Sequence, residues 1–146
     1  MTLKEQLEEC SSIRKKMLKK DLKIYELKSK MQSPKNQLIN DMPKGGNKQS
    51  NSLEDYLLKL EKLVAEKQAL CNELNKVWES IEFILKSQCN CDRQRVKLMR
   101  LRYYNNYSWK KCISLMKVFY PNDKWNANKG FKEHRLIFER YEISDE

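Results

Sequence analysis

The sequence predicts an all-α protein: a long N-terminal helical hairpin of coiled-coil type over residues 1–87, then a C-terminal helix-turn-helix domain over residues 93–141. Three observations carry this expectation. Only 3 glycines and 3 prolines interrupt 146 residues of which 34% are charged, a balance that suits long solvated helices better than a turn-rich sheet. Apolar residues recur at three- and four-residue steps through the first two thirds of the chain, which is the period of an amphipathic helix. Beyond Cys91 the apolar runs shorten and are separated by Asn- and Ser-containing turns.

The first helix is marked by Leu3, Leu7, Cys10, Ile13, Met17, Ile24, Leu27 and Met31, with Lys and Glu between them. It should end near Met31, because Pro34 disfavours helical geometry in the residue before it and brings no N–H of its own. The stretch SPKNQLINDMPKGGNKQSNS, residues 33–52, reads as a flexible loop. In the second helix Leu53, Leu57, Leu60, Val64, Cys71, Leu74, Trp78, Ile81 and Leu85 fill nine of ten consecutive heptad-seam positions, with Lys67 the exception. Ser52 as N-cap and Asp55 three residues on form a capping-box variant. A flanking row of Tyr56, Leu63, Leu70, Val77 and Ile84 widens the stripe beyond a two-helix seam. Either self-association, as a homodimer or higher oligomer, or packing on the C-terminal domain of the same chain would cover it.

Residues 88–92, QCNCD, break the periodicity. A short helix through Val96, Leu98, Met99, Leu101 and Tyr103 should end around Asn105 and Asn106, residue types that tolerate left-handed backbone. Ser108 then caps a second helix whose buried side is Trp109, Cys112, Ile113, Leu115 and Met116. A third helix is expected from about Asn122 or Asp123 towards Tyr141, anchored by Trp125, Ala127, Phe131, Phe138 and Tyr141.

Charge is distributed unevenly. Residues 1–87 hold 17 basic against 13 acidic side chains, whereas residues 93–140 hold 13 against 3, so the formal charge of +10 is concentrated in the last third. A localised basic face attracts phosphates, and Asn, Lys and Arg on a helix also read base edges. The predicted base-reading set is Asn126, Asn128, Lys129, Lys132 and Arg135. The predicted phosphate set is Arg93, Arg95, Lys97, Arg100, Arg102, Lys110 and Lys111. Double-stranded DNA is the expected partner.

Other chemistries are disfavoured. His134 is the only histidine and has no paired ligand or nucleophile, so packing or hydrogen bonding is its expected role, with phosphate contact the alternative. Cys89 and Cys91 form C-x-C, but a structural zinc site needs four ligands in wider pairs, so no metal is expected. KGGNK, residues 44–48, lacks the first glycine, the Ser/Thr and the strand of a phosphate-binding loop. No paired carboxylates or Ser-His-Asp order suggest catalysis; neither an enzyme nor a cofactor is expected. Five cysteines without an N-terminal apolar signal segment point to a reduced, cytoplasmic protein, and no apolar run approaches the roughly 18–20 residues of a membrane span.

Two motifs add a resemblance. LRYYNNYSWKKCISLM, residues 101–116, resembles the sigma-factor region-four helix-turn-helix, in which Leu-Arg-Tyr, a turn and Ser-Trp or Ser-Tyr precede an apolar helix. NDMPKGGNKQSNSLEDYLLKLEKL, residues 40–63, resembles the Met-Pro-basic-Gly-Gly linker and long helix of small phage and prophage proteins similar to the ArpU and RinA late transcription regulators. The resemblance implies a regulator, an activator of late phage genes, acting in a bacterial host cell and in contact with DNA and RNA polymerase. The alternatives are a small-terminase-like DNA-packaging subunit and a module that contacts polymerase without DNA. This chain departs from the family in having Cys112-Ile113 where Ile-Ala is usual, the small residue there permitting close helix contact. It also has a longer connection, residues 117–130, before the Phe131-x-x-His134 pattern.

Overall fold

The computed structural model describes residues 2–32 and 47–145, with the backbone alone at residues 32, 47–52, 144 and 145. The fold is all-α: α1 (Leu3–Gln32), α2 (Asn47–Ser87), α3 (Arg93–Met99), which continues as a π-helical turn at Arg100–Tyr104, α4 (Trp109–Phe119), a 3-10 turn at Pro121–Asp123, and α5 (Ala127–Asp145). No strand occurs among the described residues, and none of their helices is long and apolar enough to cross a membrane. The chain packs as two compact units, residues 15–72 and residues 1–14 with 73–146.

In the first unit α1 and α2 run antiparallel. Lys20 pairs with Glu66, and Lys67 Nζ lies 2.5 Å from Asp21 Oδ1. The second pair explains the single break in the heptad pattern, because a lysine at a seam position is tolerated where a carboxylate neutralises it. Among the described residues of this unit only Met17 and Leu27 are buried, and neither completely.

The second unit has a deeper core. It buries Leu3, Leu7, Cys10 and Ile13 from α1, Leu74, Trp78, Ile81 and Leu85 from α2, and a cluster of Leu98, Leu101, Cys112, Ile113, Met116 and Trp125. Ser80 donates to Gln6 at 2.9 Å, Arg14 to the Tyr104 carbonyl at 2.9 Å, and the Tyr104 hydroxyl to Asn75 at 2.6 Å.

Local chemistry sets the ends of the short helices. Asp92 caps α3 by accepting from the Arg95 amide at 2.9 Å, Ser108 caps α4 by accepting from Lys111 at 3.3 Å, and Asn106, at φ 57°, turns the chain between them.

Three expectations need correction. α2 begins at Asn47, so Ser52 lies inside the helix and is not its N-cap, and the loop does not extend to residue 52; residues 33–46 lie outside the described residues. The third helix of the module begins at Ala127 rather than Asn122 or Asp123, because Lys124 adopts left-handed geometry (φ 52°, ψ 47°) and separates it from the 3-10 turn. Its phase also differs. Gly130 and Ile137 are its buried positions, while Ala127 and Phe131 are exposed. Trp125 is buried as expected, but it sits ahead of the helix and does not share its periodicity.

Candidate nucleic-acid interface

The 117–130 connection is folded and anchored. α4 runs on to Phe119, and Trp125, 3% exposed, fills the cluster beneath α4. Gln94 of α3 holds the connection twice: its Oε1 accepts from Trp125 Nε1 at 2.9 Å and its Nε2 donates to Asp123 Oδ2 at 2.8 Å. Asn126 then caps α5, its Oδ1 accepting from the Lys129 amide at 2.8 Å. The start of α5 is therefore fixed from both sides.

α4 and α5 approach closely at Gly130, where an added Cβ would stand 2.5 Å from Ile113 Cδ1. The small residue at this helix contact is thus supplied by α5, opposite the larger Ile113. Around it lies an aromatic group: Trp109 meets Phe131 edge-on at 5.3 Å and His134 at 5.0 Å, and His134 meets Phe138 at 4.9 Å. His134 Nε2 and the Tyr103 hydroxyl are 2.7 Å apart. Burial, with the Arg102 charge second, holds the imidazole below its ordinary value and favours the neutral ring. His134 is thus engaged in packing and hydrogen bonding inside the module.

The predicted base-reading residues divide. Asn128, Lys132 and Arg135 are exposed and, at four- and three-residue steps, share one face of α5. Arg135 Nε lies 3.7 Å from Glu139 Oε1. Asn126 spends its carbonyl oxygen on the cap, and Lys129 donates from Nζ to the Asp123 carbonyl at 2.7 Å while lying 4.5 Å above the Trp125 ring. These two hold the helix start in place. The carboxylate of Glu133 is turned inward, 2.5 Å from Arg95 Nε, with both side chains largely buried, so its charge is neutralised away from the exposed face.

The predicted phosphate residues divide as well. Arg95 is committed to Glu133, and Arg102 donates to the Tyr107 carbonyl at 2.8 Å while stacking on Trp109, so both act inside the module. Lys110 is exposed at the start of α4. Lys111 lies 4.0 Å over the Tyr107 ring with its charge at the surface. Arg93 and Lys97 of α3 and Arg100 of the following turn line a depression beside Phe119 and Tyr120, together with Glu82 of α2.

Sequence reasoning missed Ser114, Lys117 and the outward Phe131. With Trp109, Lys110 and Ile113 they line a groove of about 380 Å³ between α4 and α5. The signal was present for two of them: Lys110, Ser114 and Lys117 recur at i, i+4 and i+7 once α4 is continued past Met116.

Burial pushes Cys10 and Cys91 up to about 12 and raises Cys89 and Cys112, so all four are held as neutral thiols. No group of three or more His, Cys, Asp or Glu residues placed to hold a metal occurs among the described residues. No protein-family model, curated protein or solved structure matches the chain.

Proposed function

We infer that the chain is a DNA-binding transcription regulator that presents α5 to the major groove of duplex DNA, with α3 and α4 as its support. One observation carries this reading: α5 exposes Asn128, Lys132 and Arg135 on a single face of its first turns, while its one carboxylate in those turns, Glu133, is turned in and neutralised by Arg95. Amide and cationic side chains on an exposed helix suit base edges, and a half-buried carboxylate paired with an arginine lessens the repulsion that phosphates would otherwise meet. Lys110 and Lys117, across the groove on α4, are placed to grip the flanking backbone, with Arg93, Lys97 and Arg100 as a further phosphate surface. By its resemblance to the ArpU and RinA type, the genes regulated would be late genes of a phage or prophage, with RNA polymerase as the second partner.

The test is a gel shift against a random duplex library followed by selection, with Asn128→Ala/Lys132→Ala/Arg135→Ala as the comparison. Lys129 is left intact because it holds the helix start. The native chain should bind with an affinity that falls linearly in log-log salt plots, by about 0.9 for each neutralised phosphate, and select a sequence. The triple variant should lose the selection while remaining folded. Absence of salt-sensitive duplex binding by the native chain would overturn the reading.

A further inference from the structure

We propose that Phe131, with Ala127 beside it, reads the 5-methyl group of thymine, so that the duplex this chain selects carries A·T pairs under the first turns of α5. The inference rests on the reading of α5 as the helix that enters the major groove, and it names the bases that meet the apolar edge of that helix.

Phe131 is 52% exposed, yet its ring has a fixed neighbour, since Trp109 of α4 meets it edge-on at 5.3 Å. One turn earlier Ala127 is exposed as well, and the two form the α5 side of the groove of about 380 Å³. At about 100° per residue, Ala127, Phe131, Arg135, Asn128 and Lys132 follow one another around α5 over an arc of about 140°. The apolar pair is therefore one edge of the proposed base-reading face, continuous with Asn128 and Arg135, and not a separate patch.

What borders this edge selects what fits it. Lys110, Ser114 and Lys117 of α4 line the groove on one side, and Arg135 and Lys132 lie beyond Phe131 on the other. The carboxylate within Ala127–Arg135 is that of Glu133, which pairs with Arg95. Asp123, ahead of the helix, accepts from Gln94, while Glu139, 3.7 Å from Arg135 Nε, and Glu142 come later along α5. An apolar strip with cations along both sides matches the major groove at a thymine, where the methyl group lies between two phosphate backbones. Phe and Ala are side chains that contact this methyl group, and Asn pairs with adenine, so Asn128 and its apolar neighbours call for the same kind of base pair. Duplex RNA offers no such match, because uracil lacks the methyl group and side chains cannot read the deep, narrow major groove of the A-form.

Fluorescence anisotropy of the full chain at fixed salt tests this. The probes are the duplex recovered from the random library and the same duplex with each thymine replaced in turn by deoxyuridine, which removes the methyl group and keeps the pairing. At one or two positions the native chain should bind the deoxyuridine form about fourfold more weakly, the effect of one methyl group withdrawn from apolar contact. This comparison needs no variant and is independent of any effect of mutation on folding. Phe131→Ala, checked for helicity by circular dichroism, should lose the discrimination at one of those positions, whereas Asn128→Ala should keep it. A loss that Phe131→Ala shares in full would come from DNA shape and would overturn the assignment. A native chain that selects a duplex but is indifferent to deoxyuridine throughout overturns this inference alone, leaving α5 as the reading helix and its apolar edge to a protein side chain. A native chain that binds no duplex removes both readings together.

Discussion

The contact of α4 with α5 decides how the proposed reading helix is presented, and one substitution tests it with a defined sign. An alanine Cβ at Gly130 would stand 2.5 Å from Ile113 Cδ1, nearly an ångström inside ordinary contact, while the next atom, Ile113 Cγ1, is at a comfortable 3.6 Å. In the native background Gly130→Ala gains about 1 kcal/mol of helix propensity and loses about 1–3 kcal/mol to overpacking, since the buried Ile113 Cδ1 must give way to the new methyl group. The net is a destabilisation of up to about 2 kcal/mol. Ile113→Val deletes Cδ1 alone and costs about 0.5–1.5 kcal/mol. In that background the clash is gone, so Gly130→Ala should become stabilising by about 1 kcal/mol. The sign therefore reverses, with a coupling of about 1–3 kcal/mol, readable from urea unfolding of the four proteins followed by circular dichroism. If Gly130→Ala had the same effect in both backgrounds, the close approach of the two helices at this point would be refuted.

Two further outcomes follow from individual contacts. The His134 imidazole is held below 6.5 by burial and by Arg102, so its neutral form contributes stability that is fully present above that pH and is lost as the pH falls through the depressed native value. Melting temperatures of the native chain should drop faster than those of His134→Gln between neutral and mildly acidic pH, and parallel curves would count against the buried ring. Lys129→Ala should cost about 1 kcal/mol through loss of the hydrogen bond to the Asp123 carbonyl, whereas Lys132→Ala should stay within about 0.5 kcal/mol, because Lys132 is exposed. Equal costs in thermal unfolding would remove the distinction between a helix-start lysine and a surface one.

The elements that were legible in the sequence are those specified by neighbours. The long stripes of α1 and α2 repeat at the helical period, and Ser108 and Asn106 mark a cap and a left-handed turn through their own backbone preferences. The phase of α5 was not legible, because it is imposed by Trp125 entering a cluster built from α3 and α4 and by Gln94, 31 residues away, holding its indole. The start of α2 was misplaced for a related reason: a Ser followed by Asp at the right spacing satisfies a cap pattern whether or not the helix has already begun.

The candidate site shows the same division more sharply, because basic residues look alike in a sequence and differ only in what faces them. Arg95 and Arg102 belong to the same charge-rich run as Arg93 and Arg100, yet Glu133 lies 38 residues from Arg95, and the Tyr107 carbonyl that receives Arg102 is presented only by the turn at Asn106. The pairing of Arg95 with Glu133 also cancels its charge, whereas Arg102, bonded to a neutral carbonyl, keeps its own. The exposed positive charge around α4 and α5 is therefore carried by Lys110, Lys111, Lys117, Lys132 and Arg135, with Arg93 and Arg100 exposed beside α3. On the proposed DNA-binding reading, neutralising Arg95 would not remove one phosphate contact: it would leave the Glu133 carboxylate on α5 without its partner, one residue from Lys132. A sequence reading that counts Arg95 as a contact predicts a loss of one unit of salt dependence, whereas the folded arrangement predicts disturbance of the helix itself.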